Sequence, residues 1–274
     1  MSVTRQNQLT TIAHKSYQLW KSLAIGTEVF TPSALCSCFA HKNDEGRSNG
    51  TSDERFLEYM QSLPMLDEAA VTFSLLGSLL YNEPAEKYIA HLVRNDPFAD
   101  IPFAHQSAAV QTGLDILRGW HGRALKDPRH AVAQLEHEWS QLFAQTGTEK
   151  APLYRSHYVK GVRAADGSMT DTVQEFYLLH GLATRLGRQK PFDHLGPMLQ
   201  FLAYLAALEA QALGEWDFKQ VDILRDEEFR FLREQINPWI GSWHHAVCAT
   251  GGSGFYKGIS YLCVGAITTF SDRF

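Results

Sequence analysis

Apolar residues recur at steps of three and four almost throughout the chain, and sustained period-two alternation rich in Val, Ile and Thr is missing. The pattern predicts an all-α protein of about ten helices. Near the start, Leu9, Ile12, Leu19 and Leu23 mark a helix, and Cys36, Cys38 and His41 follow in a short apolar patch. The run 42–53 is too polar and too rich in glycine to pack, and reads as a loop or linker. The next helix carries Phe73, Leu76 and Leu80 on one face and stops before Pro84, whose fixed φ suits the first turn of a helix reaching about residue 94. Asn95, Asp96 and Pro97 then break the chain. Further helices are expected at 106–125, 128–145, 170–186, 192–213, 218–235, 239–248 and 255–270, with a long irregular connection over 146–167.

With 274 residues, 45% of them apolar and 20% charged, the chain can bury a full core and needs no disulfide or structural metal. It divides into an N-terminal helical extension with a polar linker, 1–66, and a single multi-helix globular domain, 67–274. The net charge of -5 gives no electrostatic reason to expect a nucleic acid. Four cysteines are sparse, and the opening Met1–Ser2–Val3 begins a polar stretch without a basic-then-apolar signal, so a reducing cytoplasm is the expected compartment. Two long uncharged stretches, 195–208 and 258–270, fall short of the roughly 20 apolar residues a bilayer requires and are expected to be buried helices.

Metal chemistry finds little purchase. Cys36-x-Cys38 with His41 has zinc-type ligands but lacks a second close pair, and His244 with Cys248, four apart on one helical face, supplies two ligands where a site needs more. The 12 histidines and 30 acidic residues motivate one alternative, a helical metal-dependent hydrolase. Against it, the chain has no His-Asp dipeptide, no His-Glu-x-x-His helix and no glycine-rich phosphate loop. No metal, no cofactor and no enzymatic activity are expected.

Several segments occur in an ordered series: Leu76–Gly77–Ser78–Leu79–Leu80–Tyr81 ahead of Pro84, then Glu138–Trp139–Ser140–Gln141–Leu142–Phe143, then Pro152–Leu153–Tyr154–Arg155–Ser156–His157–Tyr158. Pro191–Phe192–Asp193–His194–Leu195 follows, leading into Met198–Leu199–Gln200–Phe201–Leu202. Phe231–Leu232, Pro238–Trp239 and Phe255–Tyr256–Lys257 complete the series. Over about 67–270 these resemble the TorD/DmsD family of redox-enzyme maturation chaperones, including its Trp-x-x-Leu-Phe helix and its Pro-Glu-Asp-His signature. The chain departs from that signature at Phe192, which stands where the family has an acid.

The resemblance implies a cytoplasmic chaperone of anaerobic respiration that binds the twin-arginine signal peptide and apo form of a molybdopterin-dependent reductase or dehydrogenase. It would assist cofactor insertion, delay export, and work as a monomer or domain-swapped dimer; the family's link to guanine nucleotides comes with the resemblance alone. A receptor for such a peptide needs an apolar groove with an acceptor-rich end. Trp139, Leu142 and Phe143, with Tyr154 and Tyr158 on the adjacent loop and Tyr81 by resemblance, are the candidate groove; the same stripe is also what any core helix shows. Asp193 is the candidate acceptor for an arginine and equally the N-cap of the 195–208 helix. His194 is a candidate partner for the peptide backbone. A third reading, a helical scaffold with no groove, gains if Trp139 and Phe143 are buried.

Overall fold

The computed structural model describes residues 52–99, 101, 103–144, 148–159, 169–182 and 191–274. The helix expected at Leu9–Leu23, the Cys36, Cys38 and His41 patch and most of 42–53 lie outside the described residues. Within them the protein is all-α: α1 Ser52–Tyr81, α2 Glu86–Asn95, α3 Ala108–Ala124, α4 Pro128–Trp139, α5 Arg155–Tyr158, α6 Met169–Leu179, α7 Leu195–Gly214, α8 Phe218–Phe231, α9 Asn237–Ala249 and α10 Phe255–Ser271. A π-helical turn continues α4 over Ser140–Ala144, and another, Leu232–Ile236, joins α8 to α9. The sole extended pairing among the described residues is the antiparallel bridge of Tyr154 with His194.

The breaks follow the local chemistry. Asp96 ends α2 in the left-handed region, at φ 37°, just before Pro97. Ser107, Asp127 and Asp217 cap α3, α4 and α8, their side-chain oxygens accepting the N–H of Val110, His130 and Gln220. Pro128 occupies the first turn of α4, where a missing N–H costs nothing.

Two crossings organise the core. In α1 against α7, a Cβ on Gly77 would lie 2.8 Å from the Gly196 carbonyl oxygen, so the backbones meet where only glycine fits. In α3 against α10, a Cβ on Gly113 would lie 2.8 Å from the Gly258 carbonyl oxygen. Around them Leu66, Phe73, Leu76, Trp120, Phe201, Trp243 and Phe255 are buried.

The sequence-based boundary at 66 is corrected by α1, which starts at Ser52 and runs unbroken through it. Tyr59 and Leu63 are buried, and the Tyr59 hydroxyl donates to Asp222 of α8, so the first half of this helix belongs to the globular domain. The hydropathy reading is extended as well: Gln61–Tyr81 is apolar and long enough to cross a membrane by composition. Here it packs against α7 in the core.

A buried ionic cluster joins the last helices. Glu209 of α7 and Glu228 of α8 are fully buried and face Arg273, which follows α10. The Arg273 guanidinium donates to Glu209, and its Nη2 lies 3.0 Å from Glu228 Oε2. Arg225 Nε sits 3.7 Å from Glu209. Burial drives the Glu228 carboxyl well above the usual carboxylate range; Arg273 opposes this and Glu209 reinforces it.

Candidate functional site

Two of the segments that the sequence sets 37 residues apart converge on one node. Pro191, a turn over Phe192 and Asp193, and then α7 bring the Asp193 carboxylate under the short helix α5. Asp193 Oδ2 accepts the Ser156 N–H at 2.8 Å, and its carbonyl accepts the Arg155 N–H at 3.1 Å. Leu195 N–H donates to the Leu153 carbonyl at 2.7 Å. A one-turn helix is too short to hold itself, and these bonds hold α5 against the start of α7.

The cap reading of Asp193 is therefore corrected in its target. His194 is the N-cap of α7, its Nδ1 accepting the Gly196 N–H at 3.0 Å, while Asp193 caps α5 from across the chain. Asp193 is 0% exposed, so it does not present its carboxylate at the surface, and Oδ1 has no aligned hydrogen-bond partner among the described residues. His194 is buried too, its ring edge-on to Tyr81 at 6.0 Å and to Tyr154 at 5.2 Å.

The surroundings are tuned by burial first. Burial raises the Tyr154 hydroxyl, with the Asp193 and Glu149 charges adding to it, and it raises Tyr177 well above its ordinary value with Asp193 again adding. Arg155 is lowered by burial, and Asp193 opposes that. The Arg155 guanidinium donates to the Glu234 carbonyl at 3.3 Å, tying α5 to the π turn before α9. Tyr158 stacks on Trp239 at 5.4 Å with planes 19° apart. Ser156 and His157 remain exposed, and Tyr154, Arg155 and Tyr158 half-buried.

The aromatic stripe lies elsewhere. Trp139 is 5% and Phe143 7% exposed, so the partial exposure expected of a groove is not what the structure has. Trp139 packs edge-on to Phe143 at 5.0 Å, and both pack against Tyr256 of α10. Periodicity identifies the apolar face of α4 but not whether another helix covers it, and α10 does. Leu142, also buried, lines a cavity of about 380 Å³ with Glu138, Tyr256, Lys257 and the loop between α9 and α10. Glu138 accepts both the backbone N–H and the hydroxyl of Ser253, anchoring that loop to α4. A Cβ on Gly252 would meet its carboxyl at 2.8 Å.

The structure thus brings together Tyr81, Tyr154, Asp193 and His194 at one node, places Tyr158 beside it through Trp239, and puts Trp139, Leu142 and Phe143, which the sequence groups with Tyr154 and Tyr158 as one groove, in a separate packed cluster. Sequence reasoning misses Glu138, Glu209, Glu228 and Arg273. Their signal is a charged residue inside an apolar stripe: Glu228 falls between Leu224 and Phe231 at helical spacing. No group of three or more His, Cys, Asp or Glu side chains among the described residues is arranged to hold a metal. His244 Nδ1 instead meets Ser260 Oγ at 3.0 Å, with Cys248 Sγ 3.7 Å from the other ring nitrogen.

The described residues form an all-helical domain in which the turn over 191–195 pins the short loop helix α5. The family model described as "Nitrate reductase delta subunit" matches residues 107–245. The chain belongs to this family, which takes in the TorD/DmsD redox-enzyme maturation chaperones. "Chaperone protein TorD" of Psychrobacter sp. (strain PRwf-1) is 30% identical over 138 residues, 49% of this chain and 60% of that protein. The protein of the same description from Aliivibrio fischeri is 23% identical over 193 residues, 70% of this chain and 85% of its own. That of Vibrio cholerae serotype O1 (strain ATCC 39541) is 23% identical over 222 residues, 76% and 93% of the two chains. These relatives are described as chaperones and not as enzymes.

Proposed function

We propose that the protein is a cytoplasmic maturation chaperone that holds the twin-arginine signal peptide and apo catalytic subunit of a molybdopterin-dependent oxidoreductase until its cofactor is in place. The observation that carries this reading is the convergence of Pro152–Tyr158 and Pro191–Leu195, two of the family-like segments, through Asp193 and His194. The peptide lies across the exposed side of α5, where Ser156 and His157 are open to solvent and Tyr154 offers a half-buried aromatic face, while Tyr158, its hydroxyl buried, backs this side through its stack on Trp239. Asp193 serves as a positioning residue: its side-chain oxygen acts by holding α5 through the Ser156 N–H rather than by touching the peptide. Trp139, Leu142 and Phe143 support the fold behind this surface.

Calorimetric titration of the full chain with a twin-arginine signal peptide, and with the same peptide carrying two lysines, tests the proposal. Saturable binding that weakens on Tyr154→Ala at unchanged melting temperature is expected. An arginine peptide that binds no better than a scrambled one overturns it. The hydrolase alternative gains no metal-ligand constellation among the described residues to support it.

A further inference from the structure

Five buried polar atoms without an aligned hydrogen bond belong to one place in the fold: Glu209 Oε1, both oxygens of Glu228, and Nε and Nη1 of Arg273. Two fully buried acids from different helices face the Arg273 guanidinium, with Arg225 Nε 3.7 Å from Glu209, and Arg273 satisfies them incompletely. The pairing suits a planar fork better than a point charge, because two carboxylates offer several acceptor oxygens to five N–H donors. The Phe270 ring lies 4.6 Å below the guanidinium and adds a face that favours arginine again.

The segment that delivers Arg273 is lightly held. Asp272 N–H donates to the Thr268 carbonyl at 3.0 Å and Phe274 N–H to the Ser271 carbonyl at 3.3 Å. Phe274 rests on Phe229 with centroids 5.7 Å apart and is itself 43% exposed. Lifting Asp272–Phe274 away breaks the Arg273 contacts with Glu209 and Glu228 and the Phe274–Phe229 contact but no hydrogen bond within α7 or α8, and it would leave Glu209, Glu228 and Phe270 as an open cradle. Both carboxylates then face the space the guanidinium vacated, with Arg225 the remaining cation beside them.

We propose that Glu209 and Glu228 form a guanidinium-accepting site whose resident occupant, Arg273, exchanges with an arginine of a bound partner peptide. The nature of that peptide rests on the function proposed above, whereas the site itself does not. Arg273 then acts as a built-in competitor that keeps the site closed until a twin-arginine segment arrives.

Arg273→Ala in the full chain separates these statements. The variant should melt on the order of 10 °C lower, since it strands buried carboxylates. Ethylguanidinium chloride at about 10 mM should recover half or more of the loss saturably, as a ligand that binds only the folded state does. Ethylammonium chloride at the same concentration should not, and adding Glu209→Gln should abolish the recovery. In calorimetry, Arg273→Ala should bind the arginine peptide about tenfold more tightly than the wild type, with no change for the lysine peptide. No recovery by ethylguanidinium overturns the site. Recovery with equal peptide affinity in both proteins overturns the exchange. Peptide binding absent from both proteins overturns the proposed function and the exchange together, while the recovery still reads the site alone. If the alanine variant does not fold, Arg273→Lys keeps the stem and the charge; equal affinity of that variant and the wild type for the arginine peptide overturns the exchange.

Discussion

Asp193 just before α7, Glu209 on α7 and Glu228 on α8 are all fully buried acids, yet Asp193 and the glutamate pair are stabilised by opposite means. Asp193 receives backbone N–H groups from a loop helix, so its charge is spread into a dipole that cannot leave without the loop. Glu209 and Glu228 receive a side-chain cation from a segment outside any helix, so their partner can depart by a local movement. A buried acid capped by backbone fixes a surface, whereas one neutralised by a side chain stores an exchangeable contact.

The largest effect that distinguishes them should come from Glu209→Ala. It leaves Arg273 and Arg225 without their best acceptor, and breaking one side of a buried pair costs roughly 3–5 kcal/mol. Urea unfolding should show that loss with little change in slope; a loss below about 1 kcal/mol would mean the cluster is wet and weakly coupled.

Asp193→Ala should cost less, about 1–3 kcal/mol, because it removes the acceptor of the Ser156 N–H and frees α5. The same variant should weaken the arginine peptide by an amount that Asp193→Asn largely restores, since Asn keeps the acceptor for Ser156. Equal peptide losses for both variants would show that the charge itself, not the position of α5, matters.

Glu228→Gln sharpens the contrast through pH. The Glu228 carboxyl is raised above its ordinary value of 4.5, so on raising pH the unfolded chain gives up this proton before the folded one does. Its contribution is fully present below about 4.5 and is lost as pH rises toward the folded value. Asp67 and Glu138 are raised by burial as well and tilt stability the same way. Glu228→Gln should flatten this fall and leave stability at pH 8 equal to or above the wild type, within about 1 kcal/mol. A pH profile indistinguishable from the wild type would mean that Glu228 is ionised in the fold.

The smallest effect expected is that of Asp193→Asn on stability, within about 1 kcal/mol by thermal melting. A collapse of the fold would show that the backbone acceptor alone does not account for Asp193.

Helix ends were legible because they are local. The Asn95–Asp96–Pro97 break, the start at Pro128 and the Gly251–Gly252 pair each stop or start a helix where the structure does, whereas Pro84, expected in the first turn of α2, lies ahead of its N-cap Ala85. The node was legible only as a resemblance: nothing in the spacing of Asp193 says that its carboxylate reaches Ser156, 37 residues earlier. Which residue caps α7 was not legible, since Asp193 and His194 are adjacent and both can accept. The burial of Trp139 and Phe143 depends on α10, a helix more than a hundred residues later, and a stripe carries no record of its cover. The π turns after Trp139 and Phe231 shift the face by one residue, a change that a period of three or four absorbs unseen.

The two glycine crossings also bear on how the chain reaches this state. Both join helices more than a hundred residues apart, α1 to α7 and α3 to α10, so the protein closes its core through long loops despite being helical. Helical proteins fold fast when their contacts are local, and these are not. On the ribosome, α1 and α3 emerge well before the helices that cover them, and Phe73, Leu117 and Trp120 stay without their packing partners until α7 and α10 follow. During synthesis this chaperone is itself a nascent chain in need of shelter, until its last crossing closes.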